Sequence, residues 1–399
     1  MELLLLRAAL RGLSAYRTML EQPLLNTALT LVDSLCTGAG EKALEAYTAL
    51  FYALRAAGQP SLGRWLEEAL RYAEGPYPRL AERGGHDPEL ERAARQDVET
   101  LAALAELDCG DCLARMKNLL GAEYGPVLDG LPRWPAEAPF SFASLTEGYR
   151  TQGAGRFAQY RAFLWEGGQL IPVADPDPGA EGEMMGYELQ REEVVANTRA
   201  LVEGKTVNNV LLYGDSGTGK SATVKSLLTV PGLEDLRLIE VDKDNLTDLP
   251  ALIRSLRDRR QKFILFIDDL AFDRDDKTYS ALKTILEGGL EKRPSNVAVY
   301  ATSNRRHLVR QTFSDRDGDE VDIKETIGEK TSLSERFGVR VAFLPLNKQE
   351  YLELVDRMAA QEGVEMDQEK LHFEALKWEM YHPGRTPRTA RQFLDSLHL

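Results

Sequence analysis

The chain has 399 residues, 43% of them hydrophobic, which is more than one hydrophobic core usually organises. Its 63 acidic residues outnumber its 49 basic residues, and a net charge of −14 argues against a protein that mainly wraps a nucleic-acid backbone. Arg7 and Arg11 interrupt the apolar run at the start, and no run of about 18 apolar residues follows. These features predict a cytoplasmic protein of two or three domains, with neither a signal peptide nor a membrane span.

Residues 1–172 are predicted to form a mostly helical domain. Apolar residues recur there at three- and four-residue spacing, as in segments 41–58 and 87–107. In the second segment, Asp87 is expected to cap a helix that has Pro88 at its first position. No catalytic motif occurs in this region, so we expect it to bind an unidentified protein partner or to regulate the rest of the chain.

Cys109 and Cys112 form a single CxxC pattern at the start of a predicted helix. A structural zinc site needs four ligands, and neither a second pair nor a nearby histidine accompanies these two. A redox motif would follow a thioredoxin-like strand, which is also missing. The pattern therefore favours ordinary, partly buried thiols in a reducing compartment.

The remainder of the chain has an α/β pattern. Segment 173–184 is rich in proline, glycine and acidic residues and is predicted to be a linker. In residues 185–346, short β-rich apolar runs alternate with helical stretches, which predicts a parallel sheet flanked by helices. Residues 347–399 have a helical pattern only and are expected to form a small C-terminal lid.

A glycine-rich loop follows the strand-like run NVLLY and precedes a helix, as the P-loop (Walker A) pattern requires. The backbone N–H groups of such a loop and the following helix N-terminus attract phosphate. Lys220 would reach the β- and γ-phosphates of ATP, and Ser221 would hold Mg²⁺. The predicted ATP-binding residues of the loop are Gly214, Asp215, Ser216, Gly217, Thr218, Gly219, Lys220, Ser221 and Ala222.

Two aspartates follow the very apolar run KFILFI, as expected at the end of a buried (Walker B) strand. Asp268 is predicted to hold Mg²⁺, and Asp269 to orient or deprotonate the attacking water. Many related ATPases use glutamate at the second position, so the shorter aspartate favours slow or partner-dependent hydrolysis.

Three further residues are predicted to serve the same site. Asn304 ends the next strand, where it reaches the γ-phosphate or the water, although asparagine is also a common turn former. Arg336 lies in a polar turn, where an arginine finger would reach the neighbouring subunit's site, although an exposed arginine is usually only solvated surface. Arg388 falls in the first turn of a helix capped by Thr386, where the helix dipole disfavours a cation, and this favours a functional role; Arg391 is the alternative.

These elements, in this order and followed by a helical lid, resemble the AAA+ ATPases. The resemblance covers residues 186–399 and looks like that of a little-characterised bacterial family of predicted single-module AAA+ proteins with a helical N-terminal region. It implies that Gly186 and Tyr187 lie near the adenine, that Asn304 is sensor 1, that Arg336 is the arginine finger and that Arg388 is sensor 2. It also implies a homo-oligomer, such as a ring or hexamer.

One departure from the AAA+ pattern and one further similarity shape the functional hypotheses. Segment 239–250 has no aromatic pore-loop residue, so polypeptide threading by the usual route is not expected. The paired aspartates are similar to those of replication initiators and helicase loaders, and a basic run at 254–262 could follow a phosphate backbone, although a solvated helix face is favoured. We therefore expect an ATPase that remodels or assembles a protein partner. The alternatives are an ATP switch acting on DNA and a slowly hydrolysing, nucleotide-gated scaffold.

Overall fold

The computed structural model describes residues 2–178, 185–271, 277–287, 293–304, 333–382 and 384–397. The chain divides into two compact units, Met1–Gln159 and Tyr160–Leu399. Residues 179–184 of the predicted linker lie outside the described residues. In the part of the chain that is described, no helix is both long enough and apolar enough to cross a membrane.

The first unit is helical, as its apolar periodicity predicts. Its α-helices are α1 (Leu3–Arg11), α2 (Pro23–Thr37), α3 (Gly40–Ala56), α4 (Leu62–Arg71), α5 (Pro76–Glu82), α6 (Pro88–Ala105), α7 (Cys109–Leu120), α8 (Gly125–Asp129), α9 (Phe142–Gln152) and α10 (Arg156–Gln159). The predicted cap of α6 is confirmed, because the Asp87 carboxylate accepts hydrogen bonds from the backbone N–H groups of Glu89 and Leu90. One core of aliphatic and aromatic side chains joins helices α1 to α9.

A buried carboxylate holds the segment after α1 against α6. Asp97 is 4% exposed, and its Oδ2 accepts hydrogen bonds from the backbone N–H groups of Ser14, Ala15 and Tyr16 at 2.8–3.0 Å. A carboxylate that receives several backbone donors offsets part of its desolvation cost. Asp97 therefore fixes how the chain leaves α1.

The two cysteines of the CxxC pattern are buried and unbonded to each other. Cys109 Sγ lies 3.4 Å from both the backbone N and O of Trp134. Burial raises the pKa of the Cys112 thiol to about 12, which disfavours the reactive thiolate. Both thiols thus behave as core side chains.

The second unit contains a seven-stranded sheet. Its strands are β1 (Ala162–Glu166), β2 (Gln169–Val173), β3 (Val210–Gly214), β4 (Leu236–Val241), β5 (Lys262–Ile267), β6 (Val297–Ser303) and β7 (Val339–Phe343). Their order across the sheet is β2-β1-β4-β5-β6-β3-β7, and every neighbouring pair is parallel except β1 and β2. The central strands β5 and β6 are almost wholly buried, as expected for a parallel sheet covered on both faces.

Helices cover this sheet and close the chain. They are α11 (Glu188–Val202), α12 (Lys220–Lys225), α13 (Leu249–Leu256), α14 (Lys277–Glu287), α15 (Lys348–Glu362), α16 (Gln368–Tyr381) and α17 (Pro387–Leu397). The predicted cap of α17 is present, since the backbone N–H of Thr389 donates to Thr386 Oγ1. The predicted α/β fold class is confirmed: a mostly parallel sheet flanked by helices, three closing helices after the last strand and a helical N-terminal region.

The division between the units differs from the predicted boundary after residue 172. The hairpin β1–β2 falls within the helical domain of the sequence-based prediction, but β1 pairs in parallel with β4 and extends the sheet of the second unit. This pairing joins segments far apart in sequence, which local patterns do not report. The second unit therefore begins at Tyr160.

The basic run at 254–262 is only in part the solvated helix face that was predicted: Arg254 and Arg257 are exposed, but most of the run lies beyond the helix. α13 ends at Leu256, so Arg254 alone of the four arginines lies on that helix. The Asn296 amide donates to the backbone carbonyls of Leu256 and Arg259 and draws the following turn inward. Arg259 is consequently only 7% exposed.

Replacing Asp97 with alanine is expected to destabilise the first unit by about 3 kcal/mol, because three buried N–H groups lose a charged acceptor. Hydrogen exchange of the full-length protein should then show faster exchange at Ser14, Ala15 and Tyr16. Asp33→Ala is the matched control, since Asp33 is part-exposed and pairs with Arg7 and Arg11; its loss should cost at most about 1 kcal/mol. Unchanged protection of the three amides in Asp97→Ala would contradict this account.

Candidate nucleotide site

The loop between β3 and α12 depends on glycine for its shape. Gly214, Gly217 and Gly219 have φ angles of 141°, 79° and 86°, a region that L-residues rarely adopt. A Cβ on Gly214 would lie 1.9 Å from the backbone oxygen of Phe343 in the adjacent β7. The glycines thus allow both the curl of the loop and its close contact with the sheet.

Lys220 begins α12 and lies inside this curl. Its Nζ donates to the backbone oxygens of Gly214 and Asp215 at 2.9 and 2.7 Å, and to Asn304 Oδ1 at 3.0 Å. Burial lowers the pKa of the Lys220 ammonium, and nearby carboxylates, among them Asp268, oppose that shift. A buried ammonium held by exchangeable acceptors is suited to binding an anion.

A hydroxyl and a carboxylate meet beside Lys220. Ser221 Oγ donates to Asp268 Oδ1 at 2.6 Å, which joins the helix after β3 to the end of β5. The hydroxyl of Thr302 also donates to Asp268 Oδ1. The end of β6 therefore supports the carboxylate that was predicted to hold Mg²⁺.

Asp269 has a left-handed backbone with φ of 48°. Aspartate and asparagine tolerate this conformation better than most residues do. Its backbone N–H donates to Thr302 Oγ1 at 2.9 Å, and its Oδ1 accepts from Asn304 Nδ2 at 2.8 Å. Asn304 thereby connects Asp269 with Lys220.

The first turn of α17 lies on the glycine-rich loop. The Arg388 backbone N–H donates to the Gly217 oxygen at 3.2 Å, and Arg388 Nη1 lies 3.4 Å from Ser216 Oγ. Arg391, the alternative sensor, instead forms an ion pair with Glu362 within the C-terminal helices. Of these two arginines, Arg388 is therefore the one that faces the loop.

These side chains surround one cavity of about 220 Å³. It is lined by Ser216, Gly217, Gly219, Lys220, Ser221, Ala222, Asp268, Asp269, Thr302, Asn304 and Arg388. Gly214, Asp215 and Thr218 belong to the same loop but do not line the cavity, and Thr218 Oγ1 donates to the Asp215 backbone oxygen at 2.8 Å. The volume is below the roughly 300–1,000 Å³ of whole-ligand pockets, so it suits the phosphate end of a nucleotide.

Two further predicted groups do not line this cavity. Gly186 and Tyr187 precede α11; the Tyr187 hydroxyl donates to the Leu344 oxygen at 2.6 Å, and its ring packs against Phe343. Arg336 is exposed after the short helical turn that begins at Leu333. Neither group is part of the cavity lining, so both assignments stay predictions.

Thr302 is the residue of this site to which the sequence assigned no role. Parallel pairing of Ile267 with Ala301 places the next residues, Asp268 and Thr302, side by side. The contact follows from that register, because a threonine at the end of a strand does not by itself indicate a functional role. The sequence feature that could have indicated a role for Thr302 is its position two residues before Asn304.

The residues present fit Mg²⁺ and a triphosphate. Mg²⁺ in proteins is commonly held by one or two carboxylates together with substrate phosphates, and the Asp268 carboxylate and Ser221 hydroxyl offer such oxygens. Lys220, Arg388 and the glycine-rich backbone supply the positive side of the cavity.

Comparison with protein families identifies the chain. Residues 158–398, more than half of its length, match the family described as "Protein of unknown function (DUF815)". The chain belongs to the DUF815 family. The match begins next to the start of the second unit of this DUF815 protein and includes every residue of the cavity. No curated protein matches the chain.

Among solved structures, the DUF815 protein is similar to RuvB from Thermotoga maritima. One match, described as a "RuvB Holliday junction branch migration motor", has 20% identity and a TM-score of 0.36, and covers 55% of this chain and 66% of the other. A point mutant of RuvB has 19% identity and a TM-score of 0.37, and covers 54% and 65%. This chain thus spans less than two-thirds of either relative.

Replacing Gly217 with alanine is expected to separate α17 from the loop. A Cβ there would lie 3.0 Å from Arg388 Cβ and 3.2 Å from Thr386 Oγ1, in addition to a backbone cost of about 1–2 kcal/mol for φ above zero. Hydrogen exchange at the Arg388 amide, which donates to Gly217, should accelerate.

Gly232→Ala is the matched control for that variant. Gly232 has φ of 85°, and an added Cβ would meet no atom within 4 Å. It should show a similar backbone cost but no change at Arg388. Equal exchange at Arg388 in both variants would show that the contact between α17 and the loop does not depend on Gly217.

Proposed function

We propose that this DUF815 protein is an Mg-ATP-dependent ATPase of AAA+ type that acts as a homo-oligomer in the cytoplasm. The observation that carries the proposal is the meeting of Ser221 and Asp268 at 2.6 Å beside Lys220, at the edge where β3, β5 and β6 end. A hydroxyl, a carboxylate and an ammonium in this arrangement are what binding of a metal-bound triphosphate requires.

Each polar side chain of the cavity has its own role toward the phosphates, Mg²⁺ or the attacking water. Lys220 and Arg388 bind the phosphates, and Ser221 and Asp268 hold Mg²⁺, which when bound supplies positive charge against the negative charge of the phosphates. Asp269 orients or deprotonates the attacking water. Asn304, which donates to Asp269 and accepts from Lys220, keeps that carboxylate beside the phosphate site.

Arg336 completes the site of a neighbouring subunit. It is exposed and lies outside the cavity of its own chain, which supports a role across a subunit interface. An arginine supplied from outside can raise the rate of phosphoryl transfer by roughly 10³–10⁵. Assembly and hydrolysis are therefore coupled.

Gly186 and Tyr187 lie on the adenine side of the bound nucleotide.

The first unit selects the protein partner that is assembled or remodelled. The residues that line the nucleotide cavity all belong to the second unit, and the net charge of −14 supports a protein partner over DNA. The basic run gives the DNA alternative little support, because Arg259 is buried and Arg260 Nη2 lies 3.0 Å from Asp235.

A slowly hydrolysing scaffold is the second candidate, and one observation favours it. Asp269 provides a short carboxylate, held by Asn304, where the longer reach of glutamate is common. In that case nucleotide binding, and not turnover, would control assembly.

Mixing two inactive variants tests the shared site. Lys220→Ala should lose ATP binding but keep Arg336, whereas Arg336→Ala should bind ATP but lose most turnover. A mixture should regain turnover, because the intact pocket of one variant receives Arg336 from the other. Phosphate release at fixed total protein measures this recovery.

A second mixture is the matched control. Lys220→Ala with Asp269→Asn combines two pocket defects and should stay inactive, because no pocket in it is complete. Recovery in this control, or none in the first mixture despite assembly, would contradict a finger at Arg336. Unchanged ATP affinity in Lys220→Ala would remove the pocket assignment itself.

A further inference from the structure

Residues at the end of β6 form hydrogen bonds with the segment that follows β5. The Thr302 backbone oxygen accepts from Leu270 N at 2.7 Å, and Ser303 Oγ donates to the Leu270 oxygen at 2.8 Å. With the bond from Asn304 to Asp269, three successive residues of one strand end hold the neighbouring acidic turn. The two aspartates are therefore positioned by β6 as well as by their own strand.

The hydroxyl of Thr302 contacts both aspartates at once. It donates its one hydrogen to Asp268 Oδ1 and accepts the backbone N–H of Asp269 at 2.9 Å, which uses the donor and one acceptor site of a hydroxyl. Thr302 is 1% exposed, so water does not readily replace either bond. The same Asp268 oxygen receives Ser221 Oγ.

We propose that Thr302 is a positioning residue that sets the geometry of the Mg²⁺-holding aspartate and of the water-orienting aspartate together. One bond keeps the Asp268 carboxylate turned toward Ser221, and the other stabilises the left-handed backbone of Asp269. Removing the hydroxyl loosens both. This inference rests on the proposed function, because it concerns the same Mg-ATP site.

The geometry separates the effect of Thr302 on the metal from its effect on the nucleotide. Its hydroxyl bonds to the two aspartates, whereas the phosphate-binding groups Lys220 and Arg388 have other partners. Support of a metal ligand by a neighbouring hydrogen bond typically contributes 10–100-fold to metal affinity or activity. A variant without the hydroxyl should thus bind ATP normally when Mg²⁺ is absent and respond poorly to Mg²⁺.

The test compares Thr302→Val and Thr302→Ser in the full-length protein. ATP affinity is measured in excess EDTA and then across an Mg²⁺ titration, and turnover is measured at saturating Mg²⁺. For Thr302→Val we expect the ATP affinity in EDTA to stay within about twofold of that of the unsubstituted protein. The half-saturating Mg²⁺ concentration should rise by roughly 10–100-fold, and turnover should fall by a similar factor. Thr302→Ser, which keeps the hydroxyl, should restore both.

Thr198→Val is the matched structural control. Thr198 is fully buried in the same unit, and its hydroxyl bonds to the Val194 oxygen at 2.8 Å and to the Tyr300 hydroxyl at 2.9 Å. It should lose comparable stability and keep a normal Mg²⁺ response. If Thr302→Val does not fold, Thr302→Ala carries the same expectation, with thermal unfolding as the check on integrity.

The outcomes separate the two proposals. A folded Thr302→Val with normal Mg²⁺ dependence and turnover overturns the role of Thr302 and leaves the ATPase proposal intact. An equal Mg²⁺ defect in Thr198→Val overturns it too, because the effect would then be general. If the unsubstituted protein binds ATP no better with Mg²⁺ than without it, the proposed function fails, and the role of Thr302 fails with it.

Discussion

The contact between Asp268 and Ser221 joins residues 47 positions apart in the chain, and the candidate site depends on it. It forms because β6 pairs in parallel with both β3 and β5, so the ends of all three strands lie at one edge of the sheet. On the far side of β3, the Gly214 backbone fits against Phe343 of β7 only because glycine has no Cβ. The sheet order therefore brings the hydroxyl, the ammonium and the carboxylates together before any ligand is considered.

A second constraint acts on the backbone of Asp269. Its left-handed conformation is tolerated by aspartate, and hydrogen bonds from its N–H and to its carboxylate fix it in place. Strained backbone of this kind persists where the surrounding structure over-determines it, and it is concentrated at functional sites. Aspartate at this position thus suits the observed backbone conformation better than most other residues would.

Sequence reasoning worked best where the signal is local. The glycine-rich loop, the apolar run before Asp268 and the Thr386 cap each depend on a few adjacent residues, and the structure has a loop, a buried strand and a capped helix there. The pairing of β1 with β4 and the inward turn at Arg259 depend on distant partners, so the sequence misplaced the boundary and the basic face. Thr302 was missed for the same reason, because its role depends on the register between β5 and β6.

ATP turnover per subunit, measured as a function of protein concentration, tests the central claim most directly. A complete pocket that needs Arg336 from a neighbour predicts a specific activity that rises with concentration and then saturates as the oligomer forms. A flat rate near zero across the assembly range, despite tight ATP binding, would contradict the claim that assembly completes a hydrolytic site. That result would leave a nucleotide-gated scaffold as the better account.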